Sequence, residues 1–211
     1  MRVVTARDSR TASVDAVSGA YTTWASAYIE RFASADKAPA EDRDVIRAWG
    51  GSITGRVLDA GCGPGHWSAF LHALGVEVEG VDATPDFVAH AGRAVPQVPF
   101  RMGDLRDLRL PEASLGGVLA WFSLIHTDPL EVPSVLRTFA MGVRPGGGLV
   151  LGFFSGEQLH PFDHRVVTAW AWPVAEMVRG VEEAGFEVLR TEERPTPNGR
   201  MNAALVASRR G

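Results

Sequence analysis

The 211-residue chain is long enough for one ordinary domain and too short for two full-sized ones. With 45% hydrophobic and 22% charged residues it is not a disordered chain, and its one cysteine, Cys62, excludes an internal disulfide framework and a multi-cysteine zinc or iron–sulfur site. A net charge of -4 removes the basic field with which nucleic-acid binders neutralise phosphates, so a small-molecule partner is expected and nucleic acid is not.

The segment Met1 to Asp8 carries charge with no apolar stretch behind it, so no secretory signal is expected. Val14, Val17, Tyr21, Trp24, Tyr28 and Phe32 recur at spacings of three and four, predicting a helix from about Ser13 with one apolar face. A second helix is predicted from Pro39 through Val45, Ile46 and Trp49, ending at Gly50-Gly51. From Arg56 the pattern becomes short apolar runs separated by helical stretches, as in βαβ units with a parallel sheet covered on both faces. Strands are predicted at Arg56 to Ala60, Glu77 to Asp82, Pro99 to Gly103, Leu115 to Trp121, Gly148 to Phe153, Phe186 to Glu192 and Ala203 to Ala207. Helices are predicted at His66 to Leu74, Pro85 to Ala94, Pro129 to Met141 and Pro173 to Ala184. The last two strands have only Arg194 to Met201 between them, with Pro195, Pro197 and Asn198-Gly199, so they are read as an antiparallel hairpin. The fold class is therefore α/β: one domain with a seven-stranded, mostly parallel sheet, one antiparallel strand and helices on both faces. Residues 1–51 form a helical cap in this reading, and 52–211 the core. The longest apolar runs, near Val118 to Ile125 and Leu149 to Phe154, are too short to span a bilayer, so the expected location is cytoplasmic with no membrane partner.

Val57-Leu58-Asp59-Ala60-Gly61-Cys62-Gly63-Pro64-Gly65 reads as a buried strand running into a glycine-rich turn and a helix, the setting of a nucleotide-binding first turn. The spacing is Gly-x-Gly-x-Gly, not the Gly-x-Gly-x-x-Gly of pyrophosphate-binding dinucleotide folds, and Asp59 stands two residues before the first glycine. Beside a pyrophosphate that carboxylate is repelled. Beside an ammonium or sulfonium group it gains about 4 kcal/mol at 4 Å and an effective dielectric of 20, before desolvation is subtracted. A cationic ligand is the consequence. Asp82 ends the second strand at the offset where an acid binds ribose hydroxyls, and Asp104 follows the third.

This strand, acid and glycine turn resembles the first motif of the class I S-adenosylmethionine-dependent methyltransferases, and the resemblance runs from Arg56 to about Phe154. It implies a Rossmann-like methyltransferase fold with S-adenosylmethionine as cofactor. Asp59, Gly61, Cys62 and Gly63 would then meet its methionine end, and Asp82 with Ala83 its ribose. Asp104 would accept from the adenine amino group and the Leu105 N–H would meet the ring. Trp121 and Phe122, in Trp121-Phe122-Ser123-Leu124-Ile125-His126, would flank the cofactor, with Tyr21 and Tyr28 closing over it. His126 is the candidate general base, because it follows the fourth strand and titrates near neutral pH.

Substrate recognition falls to segments outside the common sheet: the N-terminal helix, including Arg31, and residues 154–172 as a substrate lid, with Phe154, Ser155, His160, His164, Trp170 and Trp172. His160 and His164 are four apart, but Pro161 opposes a helix between them and no third ligand is evident, so no metal is expected. The Asn/Asp-Pro-Pro-aromatic motif of nucleic-acid and protein amide methylases is absent after the fourth strand. The resulting expectation is methyl transfer to a small molecule at oxygen, nitrogen, carbon or sulfur, by a monomer or homodimer. Two alternatives stand beside it: a noncatalytic S-adenosylmethionine-binding protein and, disfavoured by the glycine spacing, a nicotinamide-dependent oxidoreductase.

Overall fold

The computed structural model describes residues 18–21, 25, 27–30, 34–164, 167–197 and 199–211. Residues 18–21 and 27–30 are helical, as the N-terminal periodicity predicts; Val14, Val17, Trp24, Arg31 and Phe32 lie outside the described residues. Ser34 then accepts a hydrogen bond from the Asp36 N–H and starts a short 3-10 turn, Ala35–Lys37. Helix α1 (Ala40–Ser52) follows Pro39, carries Glu41 and Asp42 in its first turn where the helix dipole favours them, and buries Val45, Ile46 and Trp49.

The core alternates as expected: β1 (Val57–Ala60), α2 (His66–Ala73), β2 (Val78–Asp82), α3 (Pro85–Ala94), β3 (Phe100–Met102), β4 (Leu115–Trp121), α4 (Val132–Gly142) and β5 (Val143–Ser155). β6 (His160–Phe162), β7 (Ala169–Trp172), α5 (Val174–Glu183), β8 (Phe186–Pro195) and β9 (Met201–Arg209) complete it. Strands β3, β2, β1, β4 and β5 are adjacent and parallel in that order. β9 lies antiparallel along the other edge of β5, with β8 antiparallel outside it, so the predicted hairpin forms.

Among the described residues the sheet has nine strands, not seven. The two extra come from the segment expected as a lid. β4 pairs with β5 up to Gly152, and β7 then takes the vacated edge, Phe154 opposite Ala171 and Ser155 opposite Trp172. β6 folds back antiparallel on β7, which makes a second reversed strand. The hairpin thus stands over the carboxyl end of β4. It escapes sequence reading because β6 is three residues long and contains Pro161, tolerated only at such an edge.

Successive strand residues face opposite sides. Leu58 and Ala60 of β1, Val118 and Ala120 of β4, and Leu149, Leu151 and Phe153 of β5 pack with Leu136 and Phe139 of α4 and Met177 and Val181 of α5. Val57, Leu119, Trp121 and Val150 face the opposite way, onto Ile46 and Trp49 of α1 and Trp67 and Leu71 of α2. By the same alternation Asp59 shares the face of Val57, toward α2.

Candidate functional site

β1 leads to β2 and β3 on one side of the sheet, while β4 and β5 lie on the other, so the strand order reverses at the β1/β4 boundary. Loops that diverge at such a point leave a crevice beyond the strand ends. Here it encloses about 140 Å³, walled by the turns after β1, β2, β3 and β4 and by Ser18, Tyr21 and Tyr28 of the N-terminal helical residues. The Ser18 hydroxyl donates to the Ala83 carbonyl at 3.0 Å and ties those residues to the turn after β2.

The glycine turn forms one wall. Gly61 and Gly63 have φ of 76° and 53°, the left-handed region that other residues enter at a cost. A Cβ on Gly61 would lie 2.3 Å from the Ser123 Cβ, whereas one on Gly63 would meet nothing within 4 Å. Gly61 therefore allows the β1 and β4 loops to touch, and Gly63 leaves its backbone open to the crevice. Cys62, between them, is buried. Burial, with Asp59 and Asp82 nearby, raises its thiol well above the ordinary range, so it is not a thiolate nucleophile at neutral pH.

The three aspartates divide. Asp59 is buried and does not line the crevice; its carboxylate accepts from the Ser68 hydroxyl at 2.6 Å. The expectation that it borders the ligand is corrected by strand alternation, which turns it toward α2. Burial pushes it up to about 7; the Ser68 hydrogen bond opposes that shift and the Asp82 charge adds to it. Asp82 does line the crevice, and its two oxygens accept from the Gly63 N–H at 2.9 Å and the Thr84 N–H at 2.8 Å. Burial raises its pKa against the lowering effect of those bonds. Asp104 also lines the crevice and is gripped by Arg106, whose Nε lies 3.2 and 3.1 Å from the two oxygens and whose Nη2 lies 3.0 Å from Oδ2. Arg106 further reaches Glu131 at 3.4 Å. Ala83 and Leu105 sit beside these acids on the crevice wall.

β4 ends in an abrupt turn. Phe122 has φ of 55°, unusual for an aromatic residue, while its N–H donates to the Gly152 carbonyl at 2.8 Å. That kink takes the chain out of the sheet, so that Trp121, Phe122, Ser123 and His126 all reach the crevice. His126 is 8% exposed. Its Nδ1 lies 2.8 Å from the Thr168 carbonyl, which can only accept, so Nδ1 carries the proton and Nε2 the lone pair. The Tyr21 phenol, 3.0 Å away, therefore donates to Nε2. Burial holds His126 below its ordinary pKa, with the Thr168 carbonyl acting in the opposite sense, and burial raises the Tyr21 phenol well above its own. The pair is neutral at pH 7.

Two polar atoms in these walls lack a hydrogen-bond partner among the described residues: Ser123 Oγ and His66 Nδ1. Burial lowers His66 to about 4. Ser123 falls within the segment Trp121 to His126 expected beside the cofactor, whereas His66, Arg106, Phe87 and Ser68 are not among the site residues the sequence indicates. Ser68 alone had a readable signal, a hydroxyl in the first turns of the helix after the acid-bearing strand; the others depend on which loops meet. Among the described residues no cluster of three or more His, Cys, Asp or Glu is grouped for a metal, and no helix is long and apolar enough to cross a membrane.

Comparison with known proteins gives two informative relatives. A probable S-adenosylmethionine-dependent methyltransferase of Mycolicibacterium smegmatis is 34% identical over 140 residues, 63% of this chain and 52% of the relative. A demethylmenaquinone methyltransferase of Beutenbergia cavernae is 31% identical over 169 residues, 78% of this chain and 68% of the relative. The chain belongs to the class I S-adenosylmethionine-dependent methyltransferases. A family model described as a methyltransferase domain matches residues 57–147, from β1 to the start of β5. In fold, this methyltransferase chain is similar to the 1,6-didemethyltoxoflavin-N1-methyltransferase of Burkholderia thailandensis. The TM-score is 0.69 at 20% identity, covering 100% of this chain and 99% of the other, which holds bound S-adenosylhomocysteine. The chain spans about half the length of its Mycolicibacterium relative.

Family membership makes S-adenosylmethionine the cofactor, and the crevice suits it. Two carboxylates in the lining offer acceptor positions to hydroxyl or amino groups, the Trp121 and Phe122 rings suit a sulfonium and a purine, and Ser123 Oγ and His66 Nδ1 remain unpartnered in residues of the same walls.

Proposed function

We propose that this chain transfers a methyl group from S-adenosylmethionine to a small-molecule acceptor. The observation that carries the reading is the crevice itself: a glycine turn, Asp82 and Asp104 at the ends of three successive parallel strands, with unpartnered polar atoms in its wall. Asp82 accepts from the ribose hydroxyls and Asp104 from the adenine amino group. Gly61, Cys62, Gly63, Ala83 and Leu105 bring backbone close to the cofactor, and Trp121, Phe122, Tyr21 and Tyr28 cover it. Asp59 acts from behind, holding α2 through Ser68.

When bound, S-adenosylmethionine supplies an electrophilic methyl group on a sulfonium. The protein holds the acceptor in line with it and excludes water, and alignment of that kind is worth about 7–11 kcal/mol in favourable cases. His126 is the general base: the Thr168 carbonyl holds the proton on Nδ1, which leaves Nε2, now accepting from the Tyr21 phenol, as the basic nitrogen. Ser18, Tyr21 and Tyr28 close one side of the crevice, and the β6–β7 hairpin serves as the lid on the acceptor's side. The reading is one of a single domain acting on small molecules and not on nucleic acid, in line with the net charge of -4.

The test is incubation of the full chain with methyl-labelled S-adenosylmethionine and a panel of phenolic, carboxylate and amine metabolites. Label appearing in a panel member, with one equivalent of S-adenosylhomocysteine, is the expected result. Tight cofactor binding with no label transferred would replace this reading with that of a cofactor-binding protein.

A further inference from the structure

The walls around His126 define a class of acceptor. Nδ1 is committed to the Thr168 carbonyl, so the imidazole offers a single lone pair, and its partner in the fold is already an aromatic hydroxyl, that of Tyr21 at 3.0 Å. The Tyr21 ring stands edge-on to Phe87 and Tyr28, with centroids 5.6 and 5.4 Å away, so the place on Nε2 is shaped for a flat group among rings.

The charged side chains lining the crevice among the described residues are already engaged. Of the charged side chains lining the crevice among the described residues, Asp82 is bonded to two backbone N–H groups. Arg106, the one arginine or lysine, is engaged by Asp104 and Glu131. Among the described residues no arginine or lysine other than Arg106 lines the crevice, so a carboxylate or phosphate on the acceptor would be buried beside His126 without a described guanidinium or ammonium to meet it, which is costly. An ammonium would bring three N–H donors to one lone pair. A lone hydroxyl matches it.

We propose that the acceptor is an uncharged planar compound with an acidic hydroxyl, a phenol or an enol, which docks on His126 Nε2 in the place now held by the Tyr21 phenol. This rests on the methyltransferase reading. The acceptor oxygen bonds to the methyl carbon as the carbon–sulfur electron pair returns to sulfur, and the acceptor's proton goes to Nε2. The imidazolium so formed keeps its Nδ1–H on the Thr168 carbonyl. Tyr21 is an internal occupant of the acceptor's place, yielding it when the acceptor arrives.

The test uses the full chain saturated with S-adenosylhomocysteine and three probes on one ring system: 2-naphthol, 2-naphthoate and 2-(aminomethyl)naphthalene. Calorimetry should show 2-naphthol binding about tenfold or more tighter than the other two. With S-adenosylmethionine, 2-naphthol should become 2-methoxynaphthalene. His126→Phe should lose about tenfold in 2-naphthol affinity while binding S-adenosylhomocysteine as the parent does, which also reports an intact fold. Tyr21→Phe, which removes the competing phenol, should bind 2-naphthol at least as tightly. If His126→Phe does not fold, His126→Gln is judged by the same criteria. The proposal is overturned if 2-naphthol does not bind, if either charged probe matches it, or if its affinity is unmoved by loss of the imidazole. Failure of the parent chain to bind S-adenosylhomocysteine is a separate result, seen before any probe is added, and it removes the methyltransferase reading itself.

Discussion

At Gly61 two constraints coincide, a positive φ and the Ser123 Cβ 2.3 Å from where a Cβ would sit. Gly61→Ala must pay for both, and the β1 and β4 loops have to part to admit the methyl. The expected loss is about 1–3 kcal/mol, read as a lower urea midpoint with an unchanged slope. Asp82 holds the Gly63 and Thr84 N–H groups beside the crevice, and the proposed function adds a ligand role to that scaffold role. Asp82→Ala should weaken S-adenosylhomocysteine binding by about 1.5–3 kcal/mol in calorimetry, and unchanged affinity would remove Asp82 from the cofactor's contacts. Asp82 and Asp104 were legible in the sequence because each stands just where a parallel strand ends. Asp59 was legible as an acid before a glycine turn, but its direction was not, since period-two alternation shows its face only once the partner helix is known. Arg106 carries no signal of its own in the sequence: its meaning lies in the carboxylate it grips two residues back, one of many arginine pairings a sequence permits.

Among the elements, Leu115–Trp121 and Pro85–Ala94 fall where the sequence pattern predicts, because unbroken apolar runs and a proline at the first helical turn are strong local signals. The β6–β7 hairpin was hidden, since its pairing is set by the edge of β5 that β4 leaves vacant and not by its own residues. Arg209 is another non-local tie. From the end of β9 its Nε donates to the Ala140 carbonyl in the last turn of α4 at 2.8 Å, and its Nη1 to the Gly185 carbonyl beyond α5, also at 2.8 Å. Carbonyls at helix ends lack intrahelical donors, and a guanidinium there also complements the helix dipole. Arg209→Ala should therefore cost about 1–3 kcal/mol in urea unfolding without altering cofactor affinity. A change below about 0.5 kcal/mol would mean that water replaces the guanidinium fully.

For the whole molecule, two buried groups give opposing pH dependences. Asp59 rises to about 7 in the fold. Between its unfolded pKa near 3.9 and that value, the folded chain keeps a proton that the unfolded chain has released. Stability therefore falls as pH rises through that window, by on the order of 3–4 kcal/mol for this group. His66, lowered to about 4, has the reverse sign: its unfolded form binds the proton up to about 6.5, so stability rises with pH between those values. Asp59→Asn removes the first effect and leaves the second. Relative to the parent chain it should gain stability on going from pH 4.5 to pH 7.5 in parallel urea titrations. A difference that does not change with pH would mean that Asp59 is ionised in the fold across the whole range.

The proposed function puts the chemistry at the point where the strand order reverses, and it requires that crevice to accept an adenosyl sulfonium. Isothermal titration of the full chain with S-adenosylmethionine, S-adenosylhomocysteine and nicotinamide adenine dinucleotide tests this directly. Saturable one-site heats are expected for the first two and none for the third; folded protein giving no heat with either sulfur nucleoside would contradict the assignment.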